Sequence, residues 1–179
     1  MSDQVSPMPS ITFVTEQDIP SLNDLVNSAY RGESSKKGWT TEAYLLDGIR
    51  TDPDSLKKLI TQPDSVILKY VEDSGLIKGC VYLQQKNSQL YLGMLTVSPD
   101  LQGKGIGKKL LEAAEFHASK LGCTSIIMTV ISVRQELIAW YQRHGYNLTG
   151  ATEPFPTDPK FGLPKQPLVF LVLEKPLHF

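Results

Sequence analysis

The sequence predicts one mixed α/β domain of the α+β kind, built on a mostly antiparallel central sheet. Three observations carry that expectation. Residues 65–97 hold three runs rich in Val, Ile, Leu and Tyr, separated by short clusters of turn residues, the pattern of an antiparallel meander. Residues 105–121 switch to a helical period, and residues 124–143 supply a β-branched run followed by a second helical pattern. A length of 179 residues fits one domain, and a chain of that size buries about 70% of its unfolded surface without staples.

Each element has a local reason. Residues 11–14 are a short apolar β segment, and Thr15-Glu16-Gln17-Asp18 offers polar groups to cap a helix with apolar positions at Ile19, Leu22, Leu25, Val26 and Ala29. Residues 30–50 form an irregular connection that looks helical only after Thr41. Asp52-Pro53-Asp54 starts a short helix through Leu56, Leu59 and Ile60, and Gln62-Pro63-Asp64 stops it. In the meander, Asp73-Ser74-Gly75 and Lys86-Asn87-Ser88 mark the turns. The next helix buries Ile106, Leu110, Ala114, Ala118 and Leu121 on one face and ends at Gly122. Residues 124–131 read as a strand covered on both sides, and residues 134–143 return to helical spacing at Leu137, Ile138 and Tyr141. Residues 146–149 and 168–173 are the last strands, joined by a proline-dense loop over 153–167. Residues 1–9 are expected to be a flexible tail, leaving 10–179 as the domain.

Composition narrows the function classes. Eighteen Lys+Arg against nineteen Asp+Glu give a formal charge of −1, so no general basic field is available to hold nucleic acid, and any anion must be bound locally. Cys80 and Cys123 stand among apolar neighbours without metal-ligand spacing and read as buried small hydrophobes in a reducing compartment; no metal is expected. No apolar run is long enough to span a bilayer and residues 1–10 lack the grammar of a secretory signal, so the expected location is the cytoplasm, away from membranes.

The segment over residues 97–109 (VSPDLQGKGIGKK) joins a strand to a helix. Gly103, Gly105 and Gly107 leave the backbone unshielded, so successive N–H groups can converge on an anion at the helix start, where orphan donors and the helix dipole favour negative charge. Lys104, Lys108 and Lys109 add charge there or form a solvated helix face. A P-loop fails, since Gln102 stands where its first glycine belongs and Lys109 follows Lys108; a dinucleotide fingerprint fails, since Lys108 takes the place of its third glycine.

The remaining pattern, residues 95–107 (LTVSPDLQGKGIG), resembles the acyl-CoA-binding motif of the GCN5-related N-acetyltransferase family. Residues 137–146 (LIAWYQRHGY) are similar to that family's Ala-x-x-Tyr-x-x-x-Gly-Phe/Tyr segment. Together the two cover about a third of the chain, roughly residues 89–149. The resemblance implies a sheet splayed between its fourth and fifth strands, helices on both faces, and acetyl-CoA as cosubstrate in the gap. It places the cofactor on Leu95, Thr96, Val97, Gln102, Gly103, Lys104, Gly105, Ile106, Gly107 and Lys108, and it makes Tyr141 the general acid for the departing thiolate.

One departure stands out: Arg134 occupies a position often held by Asn, so that cofactor contact is not carried over, and Arg134 either serves a phosphate or shapes the acceptor pocket. No acid or His lies on residues 89–97, so amine deprotonation falls to water or to a carboxylate such as Glu33, Asp47 or Glu153. His117 and His144 read as surface groups. For the acceptor, Trp39, Tyr44, Phe155 and Phe161 either wall a pocket or fill a satellite core, with Glu33 or Asp47 available to attract an amine. The implied activity is transfer of acetyl from acetyl-CoA to a primary amine of a small molecule or peptide, directly in a ternary complex; the alternative is a non-catalytic acyl-CoA-binding module. The family also makes a homodimer possible.

Overall fold

The computed structural model describes residues 10–31, 35–36, 41–156 and 163–178. The expected tail over residues 1–9 lies outside them. Seven strands form the main sheet: β1 Ile11–Phe13, β2 Ser65–Val71, β3 Ile77–Lys86, β4 Gln89–Val97, β5 Ser125–Ile131, β6 Asn147–Pro154 and β7 Val169–Pro176. Their order is β1-β2-β3-β4-β5-β7-β6, antiparallel at every neighbouring pair but β4–β5, which is parallel. The helices are α1 Ile19–Tyr30, α2 Pro53–Thr61, α3 Ile106–Lys120 and α4 Gln135–Arg143.

Period-two alternation assigns the side chains to two cores. On one face Leu68, Val81, Leu83, Leu90 and Leu92 pack under α3 and α4. On the other, Ile67, Cys80 and Tyr82 pack under α1 and Leu56 of α2. Asp52 caps α2 by accepting a 2.7 Å hydrogen bond from the Ser55 amide, with Pro53 at the first helical position, as the local pattern predicts. The five apolar positions expected on α1 are all buried. Leu121 is instead 38% exposed, because α3 ends at Lys120 and Leu121 is its cap residue, while Leu111 fills the core.

Two expectations give way. Residues 41–50 form turns and a two-residue bridge, Leu46–Asp47 against Leu163–Pro164, where a helix is predicted. Only one helical turn closes, from the Glu42 carbonyl to the amides of Leu45 and Leu46, after which Leu46 is drawn into a small core with Ile131 and Leu168. Strand β6 also runs to Pro154, past the expected 149, as an exposed edge strand whose pairing with β7 is interrupted around Gly150, a positive-φ residue.

The irregularity in β4 positions the site. Tyr82 pairs with Gly93 but Cys80 with Thr96, so β4 carries one extra residue there, and Met94 takes a left-handed φ of 52°. Side-chain parity flips across this bulge: Leu90 and Leu92 face the α3 side, Met94 faces the α1 side, and Leu95 and Val97 return to the α3 side. Beyond the bulge β4 and β5 separate. Their pairing ends at Tyr91 with Ile127, whereas β5 stays paired with β7 through Ile131. The result is a wedge between the fourth and fifth strands, as expected.

Candidate active site

Two cavities occupy the wedge. One, of about 620 Å³, lies between α3 and α4 and is lined by Leu95, Val97, Gln102, Gly103, Gly105, Ile106, Gly107 and Lys108 together with Trp140 and His144. The other, of about 400 Å³, is lined by the ends of β4 and β5, by Arg31, Glu42, Arg50 and Arg134, and by Glu153 and Phe155. Tyr30, Leu95, Leu137 and Tyr141 line both, so the two meet at a neck.

In the larger cavity, Gly103 and Gly105 sit at φ +86° and +82°, with no atom within 4 Å of where a Cβ would project. They expose backbone toward the start of α3, which lacks both a side-chain cap and an acidic residue in its first turn. A helix start left in that state keeps its N–H donors for an anion. Gly107 works differently: a Cβ there would lie 3.2 Å from Cζ2 of Trp140, so it serves close packing of α3 on α4 rather than a left-handed turn. The Gln102 side-chain amide donates to the Val97 carbonyl at 3.2 Å, fixing the loop to the end of β4.

Not every expected cofactor residue faces the cavity. The Thr96 side chain is buried and its hydroxyl donates to the Met94 carbonyl, so only its backbone belongs to the wedge; Lys104 is exposed and lines neither cavity. His144, read as a surface group, lines the cavity instead: its Nδ1 lies 2.7 Å from the Trp140 carbonyl and its ring packs on Trp140. His117 is half-buried against Phe13, and burial first, then Lys120, lowers its pKa.

At the neck, Tyr141 is buried between the rings of Trp140 and Tyr146, and among the described residues its hydroxyl makes no hydrogen bond. Burial pushes that phenol well above its ordinary value, and the neighbouring Tyr30 and Tyr146 add to the shift while Arg134 opposes it. Tyr30 is pushed up to about 12, again by burial, and its hydroxyl donates to the Leu95 carbonyl, tying the end of α1 to the bulged strand.

The smaller cavity is walled by charge of which sequence reasoning named Arg134 and Glu153 and missed Arg31, Glu42 and Arg50. Arg31 meets the Glu42 carboxylate at 3.0 Å and donates to the Ile49 carbonyl at 3.0 Å, and Arg134 reaches the other Glu42 oxygen at 3.5 Å. Arg134 lines this cavity, which leaves its other role, serving a phosphate, open. Phe155 lines the cavity and also stacks on Phe170 against the small core of Leu46, Ile131 and Leu168, so both readings of it, pocket wall and satellite core, stand. Tyr44 does not line the cavity: it is 67% exposed, beneath the Lys36 ammonium, because the turn at residues 43–45 directs it outward. Glu33, Trp39 and Phe161 lie outside the described residues. Nothing in the sequence brings Arg31, Glu42 and Arg50 to one cavity, since they come from separate turns of one irregular connection.

Among the described residues no group of three or more metal ligands is present, and no helix is long and apolar enough to cross a membrane. The model of the acetyltransferase (GNAT) family matches residues 20–146. A mycothiol acetyltransferase of Propionibacterium freudenreichii subsp. shermanii is 30% identical over 80 residues, which cover 45% of this chain and 22% of that relative's length. The ribosomal-protein-S18-alanine N-acetyltransferase of Escherichia coli shares the fold, with a TM-score of 0.71 at 15% identity over 94% of each chain. So does the PaiA N-acetyltransferase of Thermoplasma acidophilum solved in complex with coenzyme A, with a TM-score of 0.65 at 18% identity over 93% of this chain and 98% of that one.

Proposed function

The chain belongs to the acetyltransferase (GNAT) family, and from that premise we propose that it is an N-acetyltransferase that moves the acetyl group of acetyl-CoA onto a primary amine while both substrates are bound. The observation that carries this reading is the shared neck: Leu95 and Tyr141 line both cavities, so a donor in one and an acceptor in the other meet there. Enforced proximity of that kind removes much of the entropic barrier to a bimolecular reaction.

The residues fit coenzyme A. The amides around Gly103 and Gly105 and the start of α3 take its diphosphate, Lys108 adds positive charge, and the backbone of Leu95 and Val97 runs beside its arm. Bound acetyl-CoA supplies an acetyl group activated as a thioester. Tyr141 holds a proton at a hydroxyl without a hydrogen-bond partner among the described residues, in a setting that keeps it protonated, which supports it as the general acid for a departing thiolate. Among the described residues two carboxylates line the smaller cavity; Glu42 is held by two arginines, which favours Glu153 to meet the incoming ammonium. Two unpaired buried cysteines suit the cytoplasm.

Tyr141→Phe tests the assignment. Turnover, followed as CoA release with a panel of amines, should fall about 10²-fold or more while the affinity for CoA is unchanged. Unchanged turnover removes Tyr141 from the mechanism. CoA binding by a folded protein that acetylates none of the amines favours the acyl-CoA-binding module.

A further inference from the structure

Resting on the reading above, the smaller cavity also carries information about what brings the amine. Among the described residues, three arginines and two carboxylates line it: Arg31, Arg50 and Arg134 against Glu42 and Glu153. Glu42 is shared between Arg31 and Arg134. Arg50 is different. Its guanidinium carbon stands 5.7 Å from the centroid of the Tyr30 ring, and among the described residues the group has no hydrogen-bond or ion-pair partner. A guanidinium held over an aromatic face keeps its donor fork available, and that fork matches a carboxylate in two parallel hydrogen bonds.

The positive excess is sited where it counts. Burial raises the hydroxyl pKa of Tyr30, and Arg50 and Arg134 pull against that shift, so their field reaches the neck. A polyamine acceptor would have to enter against this field, and the charge lining the cavity repels a second ammonium. An acceptor with one amine and one acid group is complementary at both ends, with Glu153 at the rim and Arg50 within. A cavity of about 400 Å³ lies in the range of small-molecule sites, about 300–1,000 Å³.

We propose that the acceptor is a small amine bearing a carboxylate, with a free amino acid as the simplest member of the class, and that Arg50 binds the carboxylate. This adds a carboxylate contact to the sequence expectation that Glu33 or Asp47 attracts the amine. Arg50 is a binding residue here and takes no part in proton transfer.

The test uses matched pairs, L-phenylalanine with L-phenylalaninamide and L-glutamate with L-isoglutamine (the α-amide), titrated calorimetrically onto the full chain saturated with CoA, where no acetyl group is available. In at least one pair the acid should bind about tenfold or more tightly than its amide, the scale of one charge-assisted interaction, and Arg50→Met should erase the difference. CoA affinity, set in the other cavity, serves as the folding control for the variant. Equal or tighter binding of both amides, no binding by either acid, or an acid preference that survives Arg50→Met overturns the proposal. Acetyl-CoA turnover of the same four compounds is read separately. Turnover that favours the amides leaves the acetyltransferase reading standing and removes this one. Tight acid binding without any turnover sinks the acetyltransferase reading while upholding the carboxylate site.

Discussion

Removing the Glu42 carboxylate should unsettle the protein more than any other single change at the site. Its oxygens stand 3.0 Å from Arg31 and 3.5 Å from Arg134, and its side chain is 10% exposed. At an effective dielectric of about 20, those separations correspond to roughly 5.5 and 4.7 kcal/mol of attraction. Desolvating the carboxylate offsets several kcal/mol of the sum, leaving a net loss of about 3–5 kcal/mol when one partner of such a group is deleted. A domain of this length loses about 2–4 °C of melting temperature per kcal/mol, so Glu42→Ala should melt roughly 6–20 °C lower by circular dichroism at pH 7. The backbone bond from the Glu42 amide to the Tyr30 carbonyl, at 2.7 Å, survives the substitution, so the loss reports the side chain. Most of the cost lies in buried positive charge left without its carboxylate, so Arg31→Met in the Glu42→Ala background should recover part of the loss. A shift within about 2 °C for Glu42→Ala, or a double variant as unstable as the sum of the two singles, refutes the reasoning.

The glycines of the cofactor loop separate two physical causes. Gly105→Ala places a methyl at φ +82° in the space assigned to the diphosphate, so it should cost about 1–2 kcal/mol of stability through backbone strain and weaken CoA binding about tenfold or more. Gly107→Ala gains about 1 kcal/mol of helix propensity but meets Trp140, so it should be near neutral in melting temperature while weakening CoA binding several-fold by calorimetry; the opposite pattern in melting temperature removes the distinction. For pH dependence, Tyr141 lies well above the ordinary phenol value, chiefly by burial, so it keeps its proton until pH passes that raised value. Turnover should therefore rise with pH as the acceptor amine becomes neutral and show no descending limb up to about pH 10. A descending limb below that pH that Tyr141→Phe removes shows Tyr141 losing its proton earlier than its burial implies, and refutes the raised value.

The cofactor half of the cleft was legible because backbone builds it. Recognition by N–H groups needs glycines at fixed spacing beside a helix start, and residues 102–107 carry that in one contiguous stretch. The sheet was legible for a related reason: each strand of the meander alternates faces, and Asn87 and Gly75 occupy the left-handed positions that its turns require. The bulge at Met94 was not, although Gly93 stands beside it: the left-handed φ falls on Met94 itself, and the extra residue is defined by what β3 offers across the ladder. The acceptor half was hardest to read. Its charged residues come from the end of α1, from two turns of the following connection and from the start of α4, and a charge in an irregular segment looks solvated until tertiary packing covers it. Phe155 was accessible because an aromatic in a proline-dense loop needs a burial site, whereas the same reasoning misplaced Tyr44.

The charged wall also bears on why the site takes this form. Replacing a buried ionic cluster with well-packed apolar residues is commonly neutral or stabilising, so stability alone gives no reason for Arg31, Glu42 and Arg134 to be charged. What the cluster does supply is position. Glu42 joins the end of α1 to the start of α4 through Arg31 and Arg134, and Tyr30, adjacent to Arg31, reaches the Leu95 carbonyl at the bulge. The residues that set charge in the smaller cavity are therefore coupled to the strand that the two cavities share. A substitution that changes which acceptor is recognised will then also move the neck where acetyl passes, so altered specificity here should appear in kcat as well as KM. That coupling separates this wall from the cofactor loop, whose glycines can be perturbed without touching any of the three charged groups.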